Sequence, residues 1–192
     1  MPQPKHLTAL RLRPLPRRKL DAEMQKYLAI CEEKLGHLPN VLKAYSFDAA
    51  KLRNFVNFYN ELMLGDSPLG KVEREMIAVV VSAANRCFYC LAAHGATLRQ
   101  MTGDPQLAEM LVLNHRVAPL PRKTRAMLDF AHKLTVTPAE VGDADRARLR
   151  KAGFTERAIW DIAEVAAFFN FTNRLATATD MMPNTHYHAE AR

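Results

Sequence analysis

Two cysteines three residues apart, Cys87 and Cys90, with His94 four residues further on and Glu75 a few turns upstream, constrain this chain more than any other feature. The apolar run 76–84 between Glu75 and the cysteines predicts a largely buried helix. Asn85-Arg86 interrupts it, and a second helix is expected to begin at the cysteines, run to about Met101 and stop at Gly103. At about 100° per residue, Cys87, Cys90 and His94 fall within roughly 60° of one another, so three reactive groups share one face. Both thiols sit in the first turn, where the helix dipole and unpaired backbone N–H groups favour the thiolate, and Arg86 is positioned to add a cation. The thiolate is the nucleophilic form.

Composition narrows the setting. The 192 residues, 48% of them hydrophobic, suffice for one well-cored domain and need no second. No apolar stretch reaches the length of a membrane span, and the N-terminus lacks the apolar segment of a signal peptide, so a cytoplasmic protein without membrane association is expected. Three cysteines do not make a secreted disulfide framework, whereas one CxxC pair suits a reducing compartment where its redox state can cycle. Cys31 reads as a small buried hydrophobe. The net charge of +7 is spread along the chain and matches no recognition-helix, zinc-finger or RNA-binding pattern, which excludes a nucleic-acid reading.

The chain divides into a basic, extended arm over 1–18, with prolines at 2, 4, 14 and 16, and one domain over 19–192 that includes the C-terminal tail. An amphipathic helix is predicted over 20–35, with Asp21 at its start and Gly36 at its stop. A short helix opens at Pro39, and Ser46 or Asp48 caps a longer one ending at Gly65. Further helices are expected near 104–114, 122–135, 143–152 and 155–178, and strand-like alternation occurs nowhere, so the fold class is all-α. A weak internal repeat aligns Glu73-Arg74 with Glu156-Arg157 and Cys87-Phe-Tyr-Cys90 with Asn170-Phe-Thr-Asn173, as if a second helical copy had lost its thiols. Trp160 and Phe168-Phe169 read as core or subunit contacts.

Three chemistries compete for the cysteines: redox, structural packing and metal binding. Cys87, Cys90 and His94 offer three metal ligands, but a structural zinc site needs a fourth, and no second CxxC or paired-histidine motif stands near. The tail pair His186 and His188 is a weak chelator by itself. Neither metal nor cofactor is therefore called for. His94 titrates near physiological pH and can pass protons to or from a thiol.

The spacing of Glu75, Cys87, Cys90 and His94 resembles the AhpD-like branch of the carboxymuconolactone decarboxylase family, most of all its peroxidase-related, alkylhydroperoxidase group. The likeness runs from about Leu35 to the tail ending at His188. It implies an AhpD-like helical domain, assembled as a trimer or hexamer, that reduces hydroperoxides. It also implies roles: Cys90 becomes a sulfenic acid, Cys87 is proton donor and resolving thiol, and Glu75 and His94 form a proton relay. An external dithiol, a lipoyl-bearing or thioredoxin-like protein, would then reduce the disulfide. AhpD has a histidine between its cysteines where this chain has Tyr89, a phenol too weakly acidic to serve as a base near neutral pH, so the relay is one member short and weaker peroxidase activity is expected. The alternative is a dithiol sensor or disulfide-exchange protein of the same fold. Lactone decarboxylation, the chemistry of the family's other branch, does not depend on a CxxC pair.

Overall fold

A computed structural model describes residues 2–192. Among the described residues there are nine α-helices, three short 3-10 turns and no strand. In order the helices are α1 (Ala22–Leu35), α2 (Asn40–Tyr45), α3 (Ala49–Leu64), α4 (Lys71–Ala84), α5 (Phe88–Thr102), α6 (Pro105–Asn114), α7 (Arg122–Val136), α8 (Asp143–Lys151) and α9 (Glu156–Ala178). None is long and apolar enough to cross a membrane.

Local chemistry sets the boundaries. Asp21 caps α1 by accepting from the Met24 N–H, and Asp48 caps α3 by accepting from Ala50 and Lys51. Ser46, the other cap considered for α3, instead donates to the Leu42 carbonyl at the end of α2. Helix α5 stops at Gly103 (φ 64°), where the left-handed conformation costs glycine nothing.

The architecture is built around α4. Every residue from Arg74 to Ser82 is buried, because α5, α6, α7 and α9 all pack against this helix. Ile77, Val79, Val80 and Val81 are sealed on all sides, each worth about 1.5–3 kcal/mol of apolar burial. The one cation in this stretch, Arg74, donates from Nη1 to the carbonyls of Leu62 and Gly65 at 2.9 and 3.0 Å. It thereby closes the end of α3, where unpaired carbonyls concentrate negative potential. A second apolar cluster, built on Leu20, Met24, Leu28, Leu42, Leu52 and Val56, seats α1 and α2 against α3.

The N-terminal arm lies on its own chain. Its backbone bonds the tail through Met182 N–H to Leu7 O and Ala9 N–H to Thr179 O, and Leu15 N–H donates to Ser46 O. Trp160 contradicts a core placement: it is 66% exposed and donates to Glu164 on its own helix. Phe168 and Phe169 are buried, as core residues should be, but they also form cavity wall.

Candidate functional site

The turn between α4 and α5 delivers the cysteines. Arg86 adopts φ 53°, an uncommon left-handed conformation for a residue with a side chain, and the chain reverses there so that Cys87 becomes the N-cap of α5. Cys87 N–H is taken up by Ser82 O at 3.0 Å, which anchors the start of α5 to the end of α4. Arg86 itself points into solvent, and no ion pair of its side chain reaches the thiols. Its contribution is the turn rather than the cation that the sequence invites.

Both cysteines are buried, Cys87 at 1% and Cys90 at 3% exposure, and both are free thiols. They differ in what they face. Cys90 lines a cavity of about 430 Å3, and Cys87 lies behind it among Tyr89, Ala176 and Met181. The Cys90 thiol, as hydrogen-bond donor, lowers Cys87 to about 7 against the upward push of burial, with smaller help from the Cys90 backbone N–H, Thr177 and the charge of His94. The same bond, together with burial, holds Cys90 well above the ordinary thiol range, while contacts from Asn173 and Thr172 oppose it weakly. The two thiols titrate as a coupled pair in which Cys87 is favoured to ionise first and Cys90 to keep the shared proton.

Glu75 and His94, nineteen positions apart, meet at 2.8 Å between Oε2 and Nδ1. Glu75 leaves 5% of its side chain exposed and His94 12%. The contact fixes one imidazole nitrogen on the carboxylate and leaves Nε2 for the cavity, which both residues line together with Cys90. The Phe169 ring stands edge-on to His94, centroids 4.7 Å apart, and holds it in place. Three of the four residues read from the sequence, Glu75, Cys90 and His94, therefore open on one cavity, and Cys87 touches that group from behind.

Helix α9 supplies what the local pattern omits. Asn173 is fully buried: its Nδ2 donates to Ser82 Oγ at 3.0 Å and its Oδ1 accepts from Asn85 at 2.9 Å. Asn85 also donates to Asn170 at 3.1 Å. This amide network fastens α9 to the last turn of α4 and places Asn173 and Thr172 against the Cys90 sulfur. Tyr89 accepts the Val41 N–H at 2.9 Å, and burial holds its phenol far above 10, so its hydroxyl serves the start of α2.

The two tail histidines do not pair with each other. His186 meets His37 at 2.9 Å and His188 meets Gln3 at 2.9 Å. Cys31 is half-buried and lines the same cavity as Cys90, held above its ordinary value by burial. Among the described residues no group of three or more His, Cys, Asp or Glu side chains is arranged to hold a metal ion.

The class so defined is an all-helical protein with a dithiol at one helix start and a buried carboxylate–imidazole pair beside it. The model of the Carboxymuconolactone decarboxylase family matches residues 50–132. An uncharacterized peroxidase-related protein from Silicibacter sp. TM1040 is 60% identical, with all of each chain covered and a TM-score of 0.94. The alkylhydroperoxidase AhpD core of an uncharacterized peroxidase-related protein from Ralstonia eutropha JMP134 is 36% identical over 98% of each chain, with a TM-score of 0.91. The uncharacterized protein YnjA of Escherichia coli K12 is 28% identical across 60% of this chain; the match spans 63% of that curated relative's length. The chain belongs to the carboxymuconolactone decarboxylase family, in its AhpD-like, peroxidase-related group.

Proposed function

We propose that this protein is a thiol-dependent peroxidase that reduces organic hydroperoxides through Cys90 and Cys87. The observation that carries the reading is the Glu75–His94 contact at 2.8 Å on the wall of the cavity that Cys90 faces. Kinship with peroxidase-related proteins supports the same chemistry.

In this reading the Cys90 proton passes along its hydrogen bond to the Cys87 thiolate as a hydroperoxide enters. The Cys90 sulfur attacks the terminal peroxide oxygen, the S–O bond forms, and the O–O bond breaks with its electron pair leaving on the alkoxide. The alkoxide takes a proton from the His94–Glu75 pair and departs as the alcohol. Cys90 is now a sulfenic acid, oxidised by the two electrons the peroxide has gained. Cys87 attacks that sulfur, and its proton leaves with the hydroxyl group as water, closing a disulfide. An external dithiol, lipoyl-bearing or thioredoxin-like, returns two electrons and two protons. Assembly into a trimer or hexamer belongs to the same proposal, with exposed apolar side chains such as Leu113 and Trp160 available for contacts between copies.

One observation favours a second reading, a dithiol sensor: the Tyr89 hydroxyl is committed to Val41, so the CxxC loop carries no base of its own. The test is turnover. Reduced protein is mixed with an organic hydroperoxide and an excess of dithiol reductant, and alcohol formation is followed. A peroxidase turns over, loses all activity in Cys90→Ser, and yields a trappable sulfenic acid in Cys87→Ser. A single slow oxidation without turnover would leave the sensor reading in its place.

A further inference from the structure

The cavity in front of Cys90 has a patterned wall. The rings of Tyr45 and Phe55 stack at 4.2 Å between centroids, Phe55 lies 6.0 Å from Phe168 and 6.2 Å from Tyr59, and Tyr59 lies 6.4 Å from the His94 ring. All of these residues line the cavity. The wall thus runs as a row of rings from Tyr45 to the reacting end.

Of the tyrosines on this wall, most have settled hydroxyls. Tyr27 donates to Asn60, Tyr89 accepts from Val41, and Tyr187 meets His37. The Tyr45 hydroxyl is sealed from solvent and has no hydrogen-bond partner among the described residues. The Tyr59 hydroxyl differs: it has no hydrogen-bond partner among the described residues, and it is not among the sealed atoms, so it is open to the cavity. Tyr59 sits on α3 beside Glu75 and His94, at the end where the peroxide group must lie.

Resting on the peroxidase reading above, we propose that Tyr59 is the substrate-binding hydrogen-bond donor of this site, and that the ring wall restricts the substrate to hydroperoxides with a bulky, ring-sized apolar body. The phenol O–H donates to the carbon-bound peroxide oxygen, the atom on which charge develops as the O–O bond breaks. Burial, reinforced by the nearby Glu75 charge, holds the Tyr59 phenol well above 10, so it keeps its proton and acts only as a donor. Proton transfer remains with His94. Hydrogen peroxide would leave most of a cavity of about 430 Å3 filled with water against aromatic walls, whereas a ring displaces that water.

The experiment compares hydrogen peroxide, tert-butyl hydroperoxide and cumene hydroperoxide as oxidants of the wild-type protein and Tyr59→Phe, and measures binding of cumyl alcohol and of cumene. Cumene hydroperoxide should exceed hydrogen peroxide by about 100-fold in rate constant, from the apolar area of one buried ring. Tyr59→Phe should slow cumene hydroperoxide by about 10- to 100-fold, the range for loss of one donor to a developing oxyanion. The thiolate titration of Cys87 and the melting temperature should stay as in wild type, which a merely structural role for Tyr59 would not leave unchanged. Equal rates for hydrogen peroxide and cumene hydroperoxide, or an unaltered Tyr59→Phe, overturn the inference and leave the peroxidase reading standing. If no peroxide oxidises Cys90 but cumyl alcohol binds and Tyr59→Phe weakens it about 10-fold, the peroxidase reading falls and the donor role stands. Should Tyr59→Phe not fold, the wild-type protein decides: cumyl alcohol should bind about 10-fold tighter than cumene, which lacks the acceptor oxygen, and equal affinities overturn the inference.

Discussion

Removing one sulfur should move the acidity of the other. Cys87 is brought to about 7 from an ordinary 9.0 chiefly by the thiol that Cys90 donates, against a burial penalty that acts in the opposite direction. That difference corresponds to about 3 kcal/mol of preferential stabilisation of the thiolate. In Cys90→Ala the thiol donor is gone while burial, the backbone N–H at 90 and Thr177 are retained, so the Cys87 pKa should rise clearly above 7. Thiolate absorbance near 240 nm, titrated in a Cys31→Ser background so that Cys87 is the remaining thiol, measures this directly. The sign fixes the activity profile as well. Below about pH 7 Cys87 is protonated and cannot take the Cys90 proton, so oxidation by peroxide should fall as pH drops through 7 and level off above it. A Cys90→Ala protein that still titrates near 7 would refute the shared-proton description and shift the cause to the helix dipole.

Three further outcomes follow from the geometry. Arg86→Gly should leave the Cys87 titration near 7, because the guanidinium is exposed and no part of the perturbation, and should not lower the melting temperature, since glycine adopts φ 53° without strain. Asn173→Ala strands the Ser82 hydroxyl and removes one partner of Asn85, costing about 2 kcal/mol or roughly 4–8 °C in Tm by calorimetry. Glu75→Gln takes the charge from the His94 contact while keeping its size, and should slow oxidation of the thiols by organic hydroperoxide about 10- to 100-fold in stopped-flow measurements.

Much of the helical layout was legible because its punctuation is local. Asp21, Asp48 and Gly103 sit at the ends of helices and act there through their own side chains or backbone, so residues a few positions apart carry the whole signal. Cys90 and His94 were likewise readable from the helical period, whereas Glu75 was picked out only by the spacing of the family it resembles, and the fold brings all three to one cavity. The division of labour between the thiols was not. Dipole and neighbouring cation act alike on both sulfurs, whereas the proton is placed by which sulfur donates to which and by Asn173 and Thr172, more than eighty positions downstream. Asn173 carried a faint signal as the counterpart of Cys90 in the internal alignment, but its bonds to Ser82 and Asn85 exist only once α9 lies on α4. Tyr59 shared the inward stripe of Leu52, Val56 and Met63 on α3, where a phenol on an apolar face was the available clue. Trp160 shows the converse: a large aromatic in an apolar helix suited core or subunit contact alike, and its open face removes only the core alternative.

The most direct test of the dithiol chemistry is mass mapping of the fully reduced protein after one equivalent of cumene hydroperoxide. The account predicts a single Cys87–Cys90 disulfide in wild type, and in Cys87→Ser a sulfenic acid confined to Cys90. Oxidation that falls on Cys31, or a sulfenic acid that forms on Cys87 while Cys90 stays reduced, would contradict it.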